Sequence, residues 1–333
     1  MVDLTGKSIL LISARFFGYE TEIKSRLQEL GASVDWYDDR PSNTFVVKSL
    51  IRINNRILHF TIRRYYNQVI RQTSHKSYDY VLFVNPESIT VSLWQKIRVT
   101  HRNAKFVLYM WDSFKNKPNT KDLVCHFDSK FSFDQEDCAV SSYNLKYRPL
   151  FFLNEYSRID LYGKRSFDVS FIGTIHSDRF QILKSVRDQC KKLGIANFYY
   201  MYFPSQVLFW LMWIRNKTIR MEGWDNFKFT ALNKNEVIDI IAKSKSIVDI
   251  QHPQQFGLTM RTIEVLGARR KLITTNKQII NYDFYHPQNI CVIERNNPVV
   301  EKSFIDSEIV LLEDSIYNKY SIDGWIQDVL ELK

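Results

Sequence analysis

Strand-like and helix-like segments alternate along this chain, and the alternation constrains its fold more than any other feature. Near the N-terminus, the apolar run KSILLIS (7–13) predicts a buried strand, and an amphipathic helix follows from about Tyr19 to Leu30. Gly31 is a plausible C-cap, and SVDWYD (33–38) predicts the next strand. Because parallel strands are joined by crossovers, usually helical, this order predicts a parallel sheet covered by helices on both faces.

The same alternation resumes after a polar, irregular stretch and predicts a second α/β domain. The 333 residues suffice for two cores, since single cores rarely grow much beyond ~250 residues. We predict an N-terminal domain over 1–152, a linker over 153–166 and a C-terminal domain over 167–333, whose last helix can pack back on the first domain. The further predicted elements are strands at 78–84, 104–110, 167–173, 196–203, 246–250 and 271–275, and helices near 179–193 and 235–243.

The net charge limits the classes of partner to be expected, and the cysteine usage indicates the cellular compartment. The net charge of +10 favours nucleic acid, an anionic membrane surface or a phosphorylated small molecule as partner. Four widely spaced cysteines without a CxxC motif indicate a reduced chain that carries no structural zinc. The longest apolar run, VLFWLMWI (207–214), is too short to span a bilayer, and the N-terminus does not resemble a signal peptide. We expect a cytoplasmic protein.

Two segments combine cations with apolar residues. Residues 40–78 contain no acid and eight cations, and 204–220 place SQVLFWLMWI directly before Arg215, Lys217 and Arg220. Such runs are most often solvated helical faces. They also suit an interfacial helix on an anionic membrane. Nucleic-acid binding is a third reading, but no recognition motif accompanies the charge. The cations of the first segment are Arg40, Lys48, Arg52, Arg56, Arg63, Arg64, Arg71 and Lys76.

The loop FIGTIHSDR (171–179) is the first candidate site. Gly173 at a strand-to-helix turn permits close approach of a ligand to the backbone, and the free N–H groups of the new helix favour an anion. Arg179 would neutralise a phosphate. An ordinary βα turn with Ser177 or Asp178 as N-cap is the alternative. The predicted anion-site residues are Gly173, Thr174, His176 and Arg179.

The stretch QHPQQFGLTMRTIEVLGARRKLITTN (251–276) is the second candidate. Thr259 is placed to cap a helix on which Arg261 and Glu264 are neighbours at i, i+3. A carboxylate suits a diol such as a ribose, and a guanidinium suits a phosphate. The alternative is a surface ion pair of little worth. The candidate residues are His252, Gly257, Thr259, Met260, Arg261 and Glu264.

A third candidate, YMWDSFKNKP (109–118), follows a predicted strand of the first domain. Asp112 there would position a sugar hydroxyl or act as a base, beside Trp111. The alternative is a Ser/Asp turn next to an aromatic core residue. We find no GxSxG, no HExxH and no carboxylate triplet for a metal, so we expect neither a metal nor a cofactor.

Taken together, FDVSFIGT…R and IVDIQHPQQFGLTMRTIEVLGARRKLITTN resemble the C-terminal half of GT-B glycosyltransferases, closest to the spore-maturation-like and capsule or lipopolysaccharide biosynthesis enzymes. YMWDSFKNKPN and FSFDQEDC…YRPLFF are similar to the linker-proximal part of that group, so the resemblance covers roughly residues 104–295. It implies an α/β GT-B fold, with two Rossmann-like domains facing a central cleft. It also implies a nucleotide-sugar donor bound mainly by the C-terminal domain.

The resemblance implies roles for individual residues. Glu264 would hold the ribose or the donor sugar, and Arg261, Gly173, Thr174 and Arg179 would lie near the diphosphate. Basic side chains and a helix N-terminus would replace a metal in stabilising the leaving group. A surface glycan, lipid-linked at the inner membrane face, would be the acceptor, and no nucleic acid is implied. The residues implied on the acceptor side are Arg15, Gly18, Tyr19 and Trp111, with Asp112, Glu20 or Glu22 as catalytic base.

One departure from the family pattern leaves the mechanism open. Many retaining members carry a second glutamate eight positions before the first, and Phe256 occupies that position here. Neither the stereochemical outcome nor the donor sugar is therefore indicated. A non-catalytic GT-B-like module that binds a nucleotide or a glycan is the main alternative, and a nucleic-acid-binding protein is a third.

Overall fold

Two parallel six-stranded sheets form the framework. The computed structural model describes residues 2–253 and 257–332, apart from the side chains of residues 45, 52, 53, 55 and 56. Each strand pair within that part is parallel, as the alternating pattern predicts. The strands are β1 (Ser8–Ser13), β2 (Ser33–Tyr37), β3 (Tyr80–Val84), β4 (Lys105–Met110), β5 (Ser129–Ser132), β6 (Lys146–Tyr147), β7 (Phe167–Thr174), β8 (Asn197–Tyr202), β9 (Phe227–Lys228), β10 (Ser244–Asp249), β11 (Lys271–Thr274) and β12 (Ile290–Val292).

Helices connect most of these strands and provide the crossovers that parallel pairing requires. In the described ranges, no helix combines the length and the apolar character needed to cross a bilayer. The α-helices are α1 (Tyr19–Glu29), α2 (Phe45–Asn54), α3 (His59–Thr73), α4 (Val91–Thr100), α5 (Gln135–Ala139), α6 (Asn154–Ser157), α7 (Arg179–Lys192), α8 (Gln206–Arg215), α9 (Lys217–Glu222), α10 (Lys234–Ala242), α11 (Met260–Gly267), α12 (Lys302–Asp306), α13 (Asp314–Lys319) and α14 (Ile322–Val329).

The first unit extends to Leu150 and includes the residues from Ile322 onward. Its sheet has the order β2-β1-β3-β4-β5-β6. Central strands such as β1 are almost continuously buried, which explains their unbroken apolar sequence. Helix α14 belongs to this unit because Trp325 packs against Tyr109, with ring centroids 5.1 Å apart. The buried Arg148 also forms an ion pair of 2.7 Å with Asp328.

The second unit spans Phe151–Ser321, with the sheet order β12-β11-β10-β7-β8-β9. Residues 153–166, for which we predicted a linker, lie inside this unit and contain α6. Arg165 holds part of this stretch in place, because it donates hydrogen bonds to the carbonyls of Asp160 and Ala242 at 3.1 and 3.2 Å. Gly267 lies against Phe152, and a Cβ there would come within 2.5 Å of the ring. A glycine is therefore needed at the end of α11.

Candidate functional site

Four parallel strands of the second unit deliver polar side chains to one edge of their sheet. Because β7, β10, β11 and β12 run in the same direction, their carboxyl ends meet at this edge, where α/β sheets bind ligands. We call it the site edge. Polar residues that follow these strands or lie on the helix that comes next include His176, Asp178, Arg179, Gln251, His252, Thr259, Arg261, Glu264, Thr275, Asn276 and Arg295.

Helix α11 begins at the site edge above a buried carboxylate. Thr259 is its N-cap, and the hydroxyl oxygen accepts from the backbone N–H of Thr262 at 3.1 Å, as predicted. The hydroxyls of Thr259 and Thr262 both donate to one oxygen of Asp249, the Thr262 bond being 2.7 Å long. Asp249 is the last residue of β10 and is buried. This carboxylate fixes the start of α11 against the end of the strand.

Glu264 lies in a partly buried ion pair one turn further along α11. Nη1 of Arg261 donates to its Oε2 at 2.6 Å, and the Arg261 and Glu264 side chains are 18% and 11% exposed. Burial raises the pKa of Tyr156 on α6, and the negative charge of Glu264 and a hydrogen bond to it raise that pKa further. The predicted i, i+3 pair therefore exists, and it lies in a partly desolvated place rather than on an open surface.

Arg179 joins the carboxyl ends of β7 and β10. Its guanidinium donates to the carbonyl of Thr174 at 2.7 Å and to the carbonyl of Ile250. Burial lowers its pKa, partly offset by the charge of Asp249. Among the described residues, its buried Nε has no hydrogen-bond partner. A Cβ at Gly173 would lie 2.9 Å from the Phe171 ring, so the glycine makes room for that ring, whereas the same Cβ would only touch Nη1 of Arg179, at 3.5 Å.

Arg295, which follows β12, forms an arginine cluster with Arg179 and Arg261, whose nearness shows in the pKa of Arg179: burial lowers it, and the charges of Arg295 and Arg261 lower it further. Its Nη1 donates to both carboxylate oxygens of Asp178 at 2.9 and 2.8 Å, and its Nη2 donates to the carbonyl of Gln251 at 2.6 Å. Asp178 is the N-cap residue of α7 but makes no capping hydrogen bond there. Sequence reasoning missed Arg295, because a cation after the last strand is the only signal that marks it.

Two histidine rings lie close together at the same edge. The rings of His176 and His252 are 5.5 Å apart at 34°. Burial lowers the pKa of His176 to about 4, and the positive charge of Arg179 adds to the effect. The ring is therefore neutral at pH 7, when it can donate one hydrogen bond and accept another.

This shift predicts a pH effect on both titration and stability. We expect the His176 ring to titrate near pH 4 in the folded protein, against about 6.5 when exposed. Because the unfolded chain takes up this proton first, the contribution to stability is complete above about pH 6.5 and is lost as the pH falls towards 4. NMR titration of the imidazoles measures it, and His176→Gln identifies the resonance. A ring that titrates at or above pH 6.5 would contradict this environment.

The predicted acceptor-side aromatics come together in the first unit. Trp111 is nearly buried, with its ring 5.5 Å from Phe16 and 6.3 Å from Tyr19. Gly18 adopts a φ of 81° at the start of α1, a left-handed conformation that glycine accepts without strain. The carboxylate of Glu20 is buried and accepts from the backbone N–H of Phe16 at 3.0 Å. It therefore helps to shape the loop after β1.

The other residues predicted on the acceptor side, Asp112, Glu22 and Arg15, differ in burial and in hydrogen bonding. Oδ1 of Asp112 accepts from the backbone of Ser113 at 3.0 Å and from Asn116 at 2.8 Å, which is the geometry of a polar turn. Glu22 is half-buried on the first turn of α1. Arg15 is mostly exposed, 3.6 Å from Asp38 and above the Trp36 ring. Whether any of these carboxylates acts as a base stays a prediction.

A buried ion network lies near these loops and was not predicted. Glu87, which is 2% exposed, accepts from Lys117 and lies 3.4 Å from Nη1 of Arg40. Buried Asp39 accepts from the hydroxyl of Tyr66 at 2.8 Å and from two backbone N–H groups. Arg40 is thus a core residue, and our reading of it as part of a surface basic run was wrong. Because residues 40–78 contain no acid, the local sequence gives no sign that Glu87 is the partner of Arg40.

Two further predictions concern Phe256 and the absence of a metal. Phe256, which marks the departure from the family pattern, lies outside the described residues. Gly257 follows it, and its carbonyl accepts from Asn276 at 3.3 Å. Across the residues that the structure does describe, no group of three or more His, Cys, Asp or Glu side chains is arranged to hold a metal ion.

Comparison with known proteins identifies the fold. No protein-family model matches the chain, and neither does any curated protein. Alr3699/HepE of Anabaena, solved with UDP and glucose, shares 12% sequence identity at a TM-score of 0.60, over 98% of this chain and 99% of that one. The lipopolysaccharide outer core galactosyltransferase WaaB shares 12% at 0.53, over 97% and 99%.

The same fold also occurs in an isomerase. The UDP-GlcNAc 2-epimerase of Methanocaldococcus jannaschii shares 9% identity at a TM-score of 0.51, over 98% of this chain and the whole of that one. At these identities the likeness shows the fold alone. The chain has the GT-B fold, as predicted, and its chemistry has to be argued from the site. The narrower resemblance to the spore-maturation-like group stays a prediction.

Proposed function

We propose that this protein is a metal-independent glycosyltransferase that moves a sugar from a nucleotide-sugar donor to a surface glycan. The observation that carries the proposal is the arginine cluster, Arg179, Arg261 and Arg295, at the site edge beside the buried carboxylate of Glu264. Guanidinium groups bind phosphate oxygens in pairs, and they are always charged. In the proposed reaction they stabilise the nucleoside diphosphate as it leaves the sugar.

The side-chain charges alone do not give this edge a net positive charge, so the helix N-termini contribute to the proposed anion site. The cluster's three positive charges face the three negative charges of Asp178, Asp249 and Glu264. The N-termini of α7 and α11 add positive potential at the same edge. Glu264 accepts hydrogen bonds only, so we assign it to the ribose hydroxyls or to the donor sugar. We assign Gly173, Thr174 and His176 to the diphosphate side, and His252, Thr259 and Met260 to the donor pocket.

The printed ligands and activity of two proteins that share the fold support the proposed class of substrate. HepE was solved with UDP-glucose as well as with UDP and glucose, and WaaB is a galactosyltransferase that acts on the lipopolysaccharide core. We propose an acceptor of the same broad class, a capsule, O-antigen or lipopolysaccharide glycan that is lipid-linked at the inner face of the cytoplasmic membrane. The enzyme would then be a cytoplasmic protein with a peripheral contact to anionic lipid. Asp112, Glu20 and Glu22 remain the candidate bases.

Donor binding gives the first test. In a thermal-shift panel of nucleotide-sugars and free nucleotides, we expect one base to stabilise the protein. A ligand present at about 100 times its Kd adds about 2.7 kcal/mol to the free energy of unfolding, which a melting curve resolves easily. A panel in which every compound leaves the melting temperature unchanged would contradict the donor assignment.

Product analysis separates the proposed transfer from epimerisation and from binding without a reaction. A transferase releases a nucleoside diphosphate and extends the acceptor, whereas an epimerase, such as the one that shares this fold, returns an altered sugar. Mass spectrometry of a reaction with the stabilising donor and membrane-derived glycolipid acceptors distinguishes them. An extended glycan supports transfer. Donor that is bound but never consumed would indicate a binding module.

A further inference from the structure

Helix α8 shows an unusual distribution of apolar residues for a helix of a globular unit. Phe209 is its one fully buried residue, with Met212 and Trp213 partly buried against the same core. At about 100° per residue, the exposed apolar side chains cover an arc of about 160° on the opposite side. We call these residues the α8 surface. They are Val207, Leu208, Trp210, Leu211 and Ile214.

The helix is firmly attached, so the exposure of this surface does not reflect a loose segment. The Phe209 ring packs among aromatic rings, with centroids 5.2 Å from Phe203, 4.7 Å from Trp224 and 5.2 Å from Phe227. Ser205 caps the helix start by accepting from the backbone N–H of Val207 at 3.1 Å. A fixed apolar face of this size is unusual on a protein without a partner for it.

The charges next to the α8 surface are positive. Arg215, Lys217 and Arg220 follow it directly, all exposed, and 204–220 contain no acid. The next acid, Glu222, is turned inward and paired with Arg187 at 2.5 Å. Exposed apolar side chains that include a tryptophan, with cations next to them, are the composition of a helix that lies in the headgroup region of an anionic bilayer.

We propose that the α8 surface is the membrane-binding element of this protein and that its partner is an anionic phospholipid bilayer. Helix α8 would lie flat, with Trp210, Leu211 and Ile214 among the upper acyl chains and Arg215, Lys217 and Arg220 at the lipid phosphates. The inference goes beyond the proposed transfer reaction, because vesicle binding succeeds or fails independently of donor binding.

A second region of the chain competes for this role but fits it less well. In the first unit, Val46, Ile57 and Phe60 are exposed within the acid-free segment 40–78. Two of its cations are already paired inside that unit, Arg40 with Glu87 and Lys76 with Asp35. That region shows no tryptophan, which is the residue most enriched at bilayer interfaces along with tyrosine.

Vesicle sedimentation of the full chain tests the proposal. We expect binding to phosphatidylcholine vesicles that contain phosphatidylglycerol, weaker binding to phosphatidylcholine alone, and a loss with added salt. The double variant Leu211→Glu/Ile214→Glu should weaken partitioning at least about tenfold, because it removes apolar contacts and adds two negative charges. The tryptophan emission of the wild type should shift to the blue on binding.

Two matched variants control for charge and for location. Val99→Glu/Val299→Glu replaces two exposed valines outside α8 and adds the same two negative charges, and it should bind vesicles like the wild type. Val46→Glu/Phe60→Glu tests the competing region. Equal partitioning of the α8 variant and the wild type would overturn the proposal, as would loss confined to Val46→Glu/Phe60→Glu. If the α8 surface instead binds a second copy, light scattering would show a dimer that the α8 variant lacks, while vesicle binding would not differ.

Discussion

Replacement of Glu264 by alanine is expected to weaken donor binding about 10- to 100-fold while the fold persists. Hydrogen bonds to a charged group contribute about 1.5–3 kcal/mol, and each 1.4 kcal/mol is a factor of ten in Kd. The substitution also removes the partner of Arg261, 2.6 Å away, so a moderate drop in melting temperature should accompany it. Isothermal titration with the stabilising nucleotide-sugar measures the affinity, and circular dichroism checks the fold.

Two variants make the Glu264 result specific. Glu264→Gln keeps the shape but loses the charge, and we expect it to bind the donor more tightly than alanine and less tightly than the wild type. Glu301→Ala removes an exposed carboxylate of the same unit and should leave the affinity unchanged. Wild-type donor affinity in Glu264→Ala would show that this carboxylate only positions Arg261 and Tyr156.

The largest stability effect is expected at Glu87. Its carboxylate lies between Lys117 and Arg40, and all three side chains are buried. Removing one partner of a buried ion pair costs about 3–5 kcal/mol, because the remaining charge is left desolvated. We therefore expect Glu87→Ala to lower the free energy of unfolding by about that amount, measured by urea denaturation.

An exposed ion pair of the same unit provides the comparison. Glu29 accepts from Arg26 at 2.8 Å, and its side chain is mostly exposed. Surface pairs contribute about 0–1 kcal/mol, so Glu29→Ala should change the free energy of unfolding little. Equal losses in Glu87→Ala and Glu29→Ala would show that the buried network does not depend on this carboxylate.

Local patterns predicted the elements that form the site edge. The strand predicted at 167–173 is observed as Phe167–Thr174, and the helix predicted from about Arg179 to Leu193 as Arg179–Lys192. Thr259 was predicted as an N-cap from its position before a periodic apolar run, and it is one. These features depend on neighbours in sequence, where spacing and capping chemistry are visible.

Partners distant in sequence could not be predicted from the same patterns. Arg295 meets Asp178 across 117 positions, and Arg179 reaches the carbonyl of Ile250 across 71. Only the order of the strands in the sheet brings these pairs together. Lys271 is a cation in the sequence, yet it is buried and donates to the carbonyls of Phe304 and Ser307. A sequence shows which residues are charged but not whether the fold buries or exposes their side chains.

The central claim is that the arginine cluster binds the diphosphate of a nucleotide-sugar. Binding of the matching free nucleoside diphosphate to the wild type, Arg295→Ala and Arg220→Ala tests it most directly. We predict that Arg295→Ala weakens the Kd at least about tenfold, since a charge-assisted contact contributes about 1.5–3 kcal/mol, and that Arg220→Ala binds like the wild type. An unchanged Kd in Arg295→Ala, with binding retained, would place the diphosphate elsewhere and contradict the account.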